Sequence, residues 1–311
     1  MALDPQIAVH LENAAKAGAF PVAELTPAQA REQMHPAYVD QFGPADPVGS
    51  VVDFTLPSPG GVVPIRVYTP EGGGAGLPLY VYCHGGGWVI GSLETHDGLC
   101  RTLAARSGAI VAAVDYRLAP EHRCPAALED AWAATVWLAE RGDSLGAAAG
   151  EIAVGGDSAG ANLAAGVALR AREHGLGLRL QLLAFPVVDC DLTRASYIEH
   201  DAIGPSIAAM DWFWDHYIGP GGERTNPAAS PLRVTDLSGL APALVLTAQG
   251  DTLRDEGDAY AARLKQAGVD VEHHCYPGQI HCFYRLGAVT DQASLCLDDC
   301  AAALRRAFST D

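Results

Sequence analysis

One stretch of the sequence decides the fold: Ile152-Ala153-Val154-Gly155-Gly156-Asp157-Ser158-Ala159-Gly160-Ala161-Asn162-Leu163-Ala164-Ala165. The apolar run 152–155 is typical of a buried strand, and the alanine-rich run 161–165 is typical of the start of a helix. Between them stands the pattern Gly-x-Ser-x-Gly. A serine on a strained strand-to-helix turn needs small residues two positions before and after it, because those positions are pressed together beneath it. The stretch therefore predicts a raised serine nucleophile, Ser158; the alternative is a glycine-flanked serine in an ordinary turn.

The chain around this stretch alternates short β-branched runs with alanine- and leucine-rich runs. This alternation predicts an α/β fold, with an eight-stranded, mostly parallel sheet covered by helices on both faces. The predicted strands are 51–55, 64–68, 79–83, 110–114, 152–155, 181–185, 243–247 and 271–276. The predicted helices are 97–107, 126–141, 159–173, 255–267 and 291–308.

Two regions break the alternation. Residues 1–48 precede the first strand and read as amphipathic helical pieces separated by prolines. Residues 189–230 lie between two strands, where a connection is usually far shorter. We expect these two cap segments, 1–48 and 189–230, to form a small helical cap over a core made of residues 49–188 and 231–311.

Composition and charge exclude several classes of function. About half of the 311 residues are apolar, which excludes a disordered chain. The net charge of −17 would repel nucleic acids and anionic membrane surfaces. The chain has no run of about 18 apolar residues, the length that a membrane span requires. Residues 1–30 lack the pattern of a secretory signal. We therefore expect a cytoplasmic protein.

The eight cysteines are scattered, with no Cys-x-x-Cys pair. In a chain of this size they are expected to be reduced thiols in the core. Cys296 and Cys300 are four residues apart on a predicted helix, and packing explains them better than half of a metal site does. The sequence predicts no metal.

The glycine run in His84-Gly85-Gly86-Gly87-Trp88 directly follows a predicted strand. Successive glycines let backbone N–H groups approach a substrate without hindrance from a Cβ atom, as an oxyanion hole requires. A nucleotide-binding loop is the rival interpretation, but the chain has neither Gly-x-Gly-x-x-Gly nor Gly-Lys-Ser/Thr. We therefore expect no nucleotide to bind here, and we assign His84 to shaping this glycine loop (residues 84–88).

A serine nucleophile needs a histidine base and a carboxylate that orients the base. His281 is the best-placed histidine because it follows the last predicted strand. Asp251 follows the strand 243–247 and is favoured as the carboxylate over Asp255, which lies where a helix begins. The chain order Ser158, Asp251, His281 agrees with that of hydrolase triads.

These motifs together resemble the hormone-sensitive-lipase-like branch, or bacterial family IV, of the α/β-hydrolase carboxylesterases. The resemblance covers about residues 45–308 and is carried by five motifs in order. They are His84-Gly85-Gly86-Gly87-Trp88, Asp115-Tyr116-Arg117-Leu118-Ala119-Pro120-Glu121, Gly156-Asp157-Ser158-Ala159-Gly160, Asp251-Thr252-Leu253-Arg254-Asp255-Glu256-Gly257 and His281-Cys282-Phe283. The family usually has Gly in place of Cys282 and Pro in place of Thr252, and Cys282 puts a thiol that could be sensitive to oxidation beside the base.

The resemblance implies an α/β-hydrolase fold with a helical cap, and hydrolysis of carboxylic esters without a metal or cofactor. It implies a catalytic triad of Ser158, Asp251 and His281. It also implies an oxyanion hole made of the N–H groups of Gly85, Gly86 and Ala159. A homodimer through the edge strand or the last helix rests on the resemblance alone.

The pocket wall is expected to come from Trp88 and from residues 210–217 of the cap segment 189–230. The aromatic side chains of that stretch are divided evenly between substrate contact and cap core; they are Trp212, Phe213, Trp214 and Tyr217. The small cap favours small-molecule esters with short or medium acyl chains. The same triad also serves amides, carbamates and lactones. A non-catalytic binding protein on this scaffold, like the plant gibberellin receptors, lacks the catalytic histidine, and His281 argues against that reading.

Overall fold

The computed structural model describes residues 2–309, which form one eight-stranded sheet. Met1, Thr310 and Asp311, which stand at the ends of the predicted cap and core segments, lie outside this range. The strands are β1 (Ser50–Ser58), β2 (Gly61–Thr69), β3 (Leu77–Cys83), β4 (Ile110–Val114), β5 (Ala147–Asp157), β6 (Gln181–Ala184), β7 (Ala243–Gly250) and β8 (Val271–Ile280). Their order across the sheet is β1-β2-β4-β3-β5-β6-β7-β8. β2 runs antiparallel to both of its neighbours, and all other neighbours are parallel.

Helices cover both faces of this sheet. They are α1 (Pro5–Ala17), α2 (Pro27–Asp40), α3 (Asp97–Ser107), α4 (Ala126–Arg141), α5 (Ala159–His174), α6 (Ala195–His200), α7 (Ile207–Ile218), α8 (Arg254–Gln266) and α9 (Asp291–Phe308). Because side chains alternate along a strand, Val81 packs in the core that holds α4, α5 and α8, while Tyr80 and Tyr82 pack in the core that holds α3 and α9. The predicted α/β fold with helices on both faces of the sheet is confirmed.

The last strand is longer than the sequence indicated, and this places His281. β8 continues through Pro277 and Gly278 to Ile280, although a Pro-Gly pair usually ends a strand. β8 lies at the edge of the sheet, where a proline without an N–H group does not interrupt a central ladder. His281 therefore follows directly on the strand end.

Hydrogen bonds join the two cap segments to each other and to the chain that follows the glycine loop. The guanidinium group of Arg31 on α2 donates to the carbonyl oxygen of Val89, just after the glycine loop, at 2.8 Å. The indole N–H of Trp212 on α7 donates to the carbonyl oxygen of Leu25 at 3.1 Å. No helix within residues 2–309 is long and apolar enough to cross a membrane.

All eight cysteines lie within the described residues and are free. Five of them are buried, including Cys296 and Cys300 on α9. Across residues 2–309, no group of three or more His, Cys, Asp or Glu side chains is arranged to hold a metal ion. Packing accounts for the two helical cysteines.

Candidate active site

Ser158 occupies the sharp turn between β5 and α5. Its backbone has φ 54° and ψ −117°, a region that residues with a Cβ atom rarely adopt. Gly156 and Gly160 make the turn possible, because a Cβ atom at either position would collide with the carbonyl oxygen of Cys83 on β3. The strained backbone of Ser158 lifts its hydroxyl above the end of the sheet.

Ser158, His281 and Asp251 form one chain of hydrogen bonds at the carboxyl ends of β5, β8 and β7. The hydroxyl of Ser158 lies 3.0 Å from Nε2 of His281, and Nδ1 of His281 lies 2.7 Å from Oδ2 of Asp251. The other carboxylate oxygen of Asp251 accepts from the backbone N–H of Leu253 at 2.9 Å. Because a carboxylate only accepts, Nδ1 carries the imidazole proton and Nε2 presents its lone pair to the serine.

Asp255, the less favoured carboxylate in the sequence, lies elsewhere. Its side chain accepts from the backbone N–H of Ser196 at 2.8 Å and from the guanidinium group of Arg254 at 2.9 Å. It therefore fastens α6 to α8, and it is Asp251 that meets the histidine. Asp251 is fully buried, so the imidazole is held against a carboxylate that water does not reach.

The glycine loop corrects one of the predicted oxyanion donors. The N–H of Gly85 donates to Oδ1 of Asp157 at 2.8 Å and is therefore already occupied. Gly86 and Gly87 line the cavity over Ser158, and neither N–H has an acceptor among the described residues. Both have positive φ, 121° and 57°, and a Cβ on Gly87 would collide with the ring of Phe213. The free donors are thus Gly86, Gly87 and Ala159, whose N–H opens α5.

His84 shapes this loop from inside the protein. Its Nδ1 lies 2.8 Å from the carbonyl oxygen of Gly85, and its ring stacks on Tyr116 at 4.3 Å between centroids. Burial lowers the pKa of His84 to about 3, so the imidazole is neutral and donates a hydrogen bond to that carbonyl. This contact holds the Gly85 carbonyl on the buried imidazole, directly before the two glycines that line the cavity.

Asp157 joins the three loops that carry the site. Besides Gly85, its carboxylate accepts from the hydroxyl of Tyr82 at 2.5 Å and from the thiol of Cys282 at 3.4 Å. Asp157 itself precedes Ser158 in the chain, so one fully buried carboxylate connects the glycine loop, the serine turn and the histidine loop. No spacing in the sequence indicates this role, although Asp157 stands inside the Gly-x-Ser-x-Gly motif.

One cation, Arg285, and two hydrogen-bond donors, His96 and Tyr82, balance this buried charge. Burial alone would favour the protonated acid, but His96 and Arg285 lie 3.4 Å and 3.5 Å from the Asp157 oxygens, and Tyr82 donates to them. Together they hold the pKa of Asp157 far below its ordinary range. Asp157 is therefore ionised at neutral pH and accepts the hydrogen bond from the Gly85 N–H as a carboxylate.

A cavity of about 280 Å³ opens above Ser158. Its floor includes Ser158, His281, Gly86 and Gly87. Residues of both cap segments form much of the rest of its lining, among them Met34, Tyr38, Ile203, Pro205, Met210 and Phe213. Most of these cap side chains are apolar, so one part of the cavity suits a hydrocarbon chain.

The structure corrects the predicted aromatic wall, since only Phe213 of the five aromatics lines the cavity. Trp88 is fully buried and stacks on Tyr217 at 4.1 Å between ring centroids, with Trp214 at 4.8 Å. Trp212 is half-buried and is held by Leu25, as described above. Met210, Phe213, Trp214 and Tyr217 lie along one buried face of α7; Met210 and Phe213 reach the cavity, and Trp214 and Tyr217 pack in the core beside it.

Several lining residues were missed in the sequence. Met210 belongs to the stretch 210–217 that was expected to supply the wall, although it was not singled out there, and Arg285 could have been found from its position four residues after His281. His10 and Tyr38 lie on α1 and α2, and no pattern in the sequence indicated which side of those helices faces the serine.

Comparison with known proteins decides the family. The family described as the alpha/beta hydrolase fold matches residues 80–285. The chain is 39% identical over 305 residues to the ethyl acetate hydrolase of Pseudomonas putida, covering 94% of this chain and 95% of that protein. It is 42% identical over 267 residues to the carboxylic ester hydrolase LipN of Mycobacterium tuberculosis, covering 83% and 71%. The hyperthermophilic esterase of Pyrobaculum calidifontis superposes with a TM-score of 0.92, at 40% identity, over 98% of this chain and 99% of that one.

The chain belongs to the α/β-hydrolase family. Within it, the protein is a carboxylic ester hydrolase of the hormone-sensitive-lipase-like branch, which confirms the resemblance drawn from the five motifs.

Cys282 replaces the usual glycine of the branch in this esterase. Its backbone has φ 52°, a left-handed conformation that explains why glycine suits the position. The thiol is buried and, as described, donates to Asp157. Burial and the neighbouring carboxylate raise the pKa of the Cys282 thiol well above its usual range, which disfavours the reactive thiolate. The sensitivity of Cys282 to oxidation therefore stays a prediction that this environment disfavours.

Thr252 replaces the usual proline beside Asp251. Its hydroxyl donates to the carbonyl oxygen of Pro205 at 2.9 Å, and its side chain is buried. A proline could not make this bond. In this esterase the bond connects the loop of the carboxylate to the cap segment 189–230.

Proposed function

We propose that this esterase hydrolyses short- to medium-chain carboxylic esters through an acyl-enzyme intermediate on Ser158. The observation that carries the proposal is the unbroken hydrogen-bond chain from Ser158 through His281 to Asp251, which opens on a cavity of about 280 Å³. We assign Ser158 as the nucleophile, His281 as the general base and then acid, and Asp251 as the group that orients the imidazole.

In the first half of the cycle, Nε2 of His281 takes the proton of Ser158 as the hydroxyl oxygen attacks the ester carbonyl carbon. The tetrahedral intermediate collapses when the imidazolium returns this proton to the departing alcohol, which leaves an ester bond on Ser158. In the second half, His281 removes a proton from water, water attacks the acyl carbon, and the acid is released with Ser158 regenerated.

The oxyanion of each intermediate is received by the N–H groups of Gly86, Gly87 and Ala159. These donors are fixed before the substrate arrives, because Asp157 and His84 anchor the loop at Gly85. Each preorganised donor contributes about 3 kcal/mol to the transition state. The loop therefore accounts for a large part of the acceleration.

The size of the cavity supports a preference for short and medium acyl chains. A volume of about 280 Å³ lies at the small end of the range for ligand sites. The two cap segments act as a lid that limits the chain length, with Phe213 and Met210 against the hydrocarbon part. The Pseudomonas putida relative is named an ethyl acetate hydrolase, which also favours small esters.

The test compares wild type and Ser158→Ala on p-nitrophenyl esters of increasing acyl length. We expect hydrolysis of the butyrate ester to fall about 10³-fold or more in the variant, because the nucleophile is lost. We expect the wild-type kcat/KM to peak at or below about eight acyl carbons. A wild type no faster than the variant would refute the proposed nucleophile, and a maximum above about twelve carbons would refute the size argument. Parallel assays with anilide and lactone analogues test the amide and lactone alternatives.

A further inference from the structure

The cavity has a polar end that ester hydrolysis alone does not explain. Arg285, Gln41 and His10 line it together with the groups described above. The carbonyl oxygen of Gln41 accepts from the N–H of Ala288, and His10 also touches a groove lined by Ala288. These contacts put the three polar side chains on the side of the histidine loop.

Arg285 has more donors than the protein satisfies. A guanidinium group carries five N–H donors. Among residues 2–309, Nη1 of Arg285 lies 3.3 Å from Nε2 of His96, and the guanidinium group also meets the phenol of Tyr38. Because Nε2 of His96 also faces Oδ1 of Asp157 at 3.4 Å and donates to that carboxylate, it is a poor acceptor for Arg285. Only 14% of the Arg285 side chain is exposed, so its other donors are largely shielded from bulk water.

Asp157 neutralises this cation without satisfying its donors. The nearest carboxylate oxygen lies 3.5 Å from Nε, and Nε is buried without a hydrogen-bond partner. The same carboxylate already accepts from Tyr82, Gly85 and Cys282. The pair therefore fixes the position of the guanidinium group and leaves N–H groups free for an acceptor in the cavity.

The orientation of Arg285 is also fixed. Its Cζ atom lies 4.0 Å from the centroid of the Tyr38 ring, which covers one face of the guanidinium plane. Covering one face leaves the donors along the edge available, and a fork of this kind matches a planar oxygen group. A hydrocarbon chain at this end would leave the buried N–H donors of Arg285 without hydrogen-bond partners, which is unfavourable in free energy.

We propose that Arg285 selects esters that carry a second oxo group, a carboxylate or a ketone carbonyl, which accepts hydrogen bonds from its guanidinium edge. The inference rests on the proposed function, since it concerns the substrate of the same serine. The scissile ester lies over Ser158, and the second oxo group reaches the polar end beside Gln41 and His10. A substrate carboxylate is attracted by the positive charge of Arg285, but Asp157 and the net charge of −17 repel it. A substrate ketone carbonyl is uncharged, so neither effect applies to it.

The experiment measures kcat/KM by acid release for two matched series of esters. On the acyl side these are ethyl butyrate, ethyl levulinate and monoethyl succinate; on the alcohol side they are propyl acetate, acetoxyacetone and β-acetoxypropionate. Each is assayed with wild type and with Arg285→Met. We expect the loss caused by the substitution to be at least fivefold larger for an oxo-bearing ester than for the apolar ester of its series. The ketone and carboxylate arms then identify which acceptor is preferred.

Two further variants keep the test decisive. Arg285→Lys preserves the positive charge beside Asp157 but lacks the planar fork, so it serves if Arg285→Met does not fold, and the same fivefold selective loss is expected. Arg254→Met is the matched control, because Arg254 is partly buried outside the cavity and binds Glu199 and Asp255. It is expected to affect all esters of a series equally.

A selective loss below fivefold in both series would overturn the inference. If wild type hydrolyses the apolar esters and Arg285 proves indifferent, only this inference fails. If wild type hydrolyses none of the esters faster than Ser158→Ala, the proposed function fails first.

Discussion

The two sides of the cavity are built in different ways. On the sheet side, Ser158, Asp251 and His281 directly follow β5, β7 and β8, and hydrogen bonds of 2.7–3.0 Å join them. On the cap side, the wall is made by side chains of helices that are shallowly embedded: α1 and α2 each bury one residue, Ile7 and Ala30. The placement of the backbone at the strand ends positions the catalytic groups, whereas the packing of side chains on the cap helices shapes the pocket.

The two sides meet at the start of the cap segment 189–230. Asn162 on α5 donates to the carbonyl oxygen of Val187 at 2.9 Å, and Glu256 on α8 accepts from the N–H groups of Val188 and Asp189. Val187 lines the cavity. The pocket wall is therefore rigid where it leaves the sheet and depends on helix packing further out.

The largest expected effect separates the two candidate carboxylates of the sheet side. Asp251→Asn should lower kcat about 10³-fold or more, because an amide no longer enforces the imidazole tautomer or stabilises its charge. Asp255→Asn is the matched control, since Asp255 binds Ser196 and Arg254, and it should cost less than tenfold. The measurement is kcat with p-nitrophenyl butyrate for both folded variants. Equal losses would contradict the assignment of Asp251.

The second effect concerns the anchor of the glycine loop. Asp157→Ala should lower kcat about 10²-fold with a smaller change in KM, because the freed Gly85 loosens the oxyanion donors that follow it. Asp157→Asn keeps an oxygen that can accept from Gly85 and should recover part of the loss. A kcat for Asp157→Ala within twofold of wild type would mean that the loop holds its shape without this carboxylate.

The third effect is the pH dependence of stability at the contact where Glu256 holds the start of the cap segment 189–230. Burial raises the pKa of Glu256 to about 8, although Val188, Asp189 and Tyr197 donate to it. The folded protein therefore holds this proton more tightly than the unfolded chain does. The stability that results is complete below the unfolded pKa of about 4.5 and is lost as the pH rises towards and through about 8.

The measurement is the free energy of unfolding of wild type and Glu256→Gln at several pH values. Between about pH 5 and 8, wild type should lose up to about 1.4 kcal/mol per pH unit relative to the variant, which does not titrate, and the difference should level off above that range. Parallel curves for the two proteins would show that Glu256 does not titrate with a raised pKa.

The smallest effect lies on the cap side. Phe213→Ala should enlarge the cavity and move the preferred acyl chain a few carbons longer, with a change of a few-fold in kcat/KM for the butyrate ester. Trp212→Phe, which removes the bond to Leu25 outside the cavity lining, is the matched control and should leave the chain-length profile in place. An unchanged profile in Phe213→Ala would contradict its position on the pocket wall.

The same contrast explains what could be predicted from the sequence. The strand-to-helix turn at Ser158 is predictable because its glycine requirement is local, and the meeting of Asp251 with His281 follows from the order of strand ends. The oxyanion donor Gly85 was mispredicted because its N–H is captured by Asp157, a side-chain contact that no spacing reveals. The aromatics were misjudged because the rotation of α7 about its axis is set by packing against Trp88.

The most direct test of the central claim is to trap the acyl group. Wild type, Ser158→Ala and His281→Ala are mixed with p-nitrophenyl butyrate, quenched in acid within milliseconds, and the peptide that holds Ser158 is weighed by mass spectrometry. We predict one butyryl group on Ser158 in wild type and none at that position in Ser158→Ala, with slow acylation in His281→Ala. Turnover by wild type with no acyl group on Ser158 at any time, or a butyryl group on another residue that forms and decays at the rate of turnover, would contradict the account.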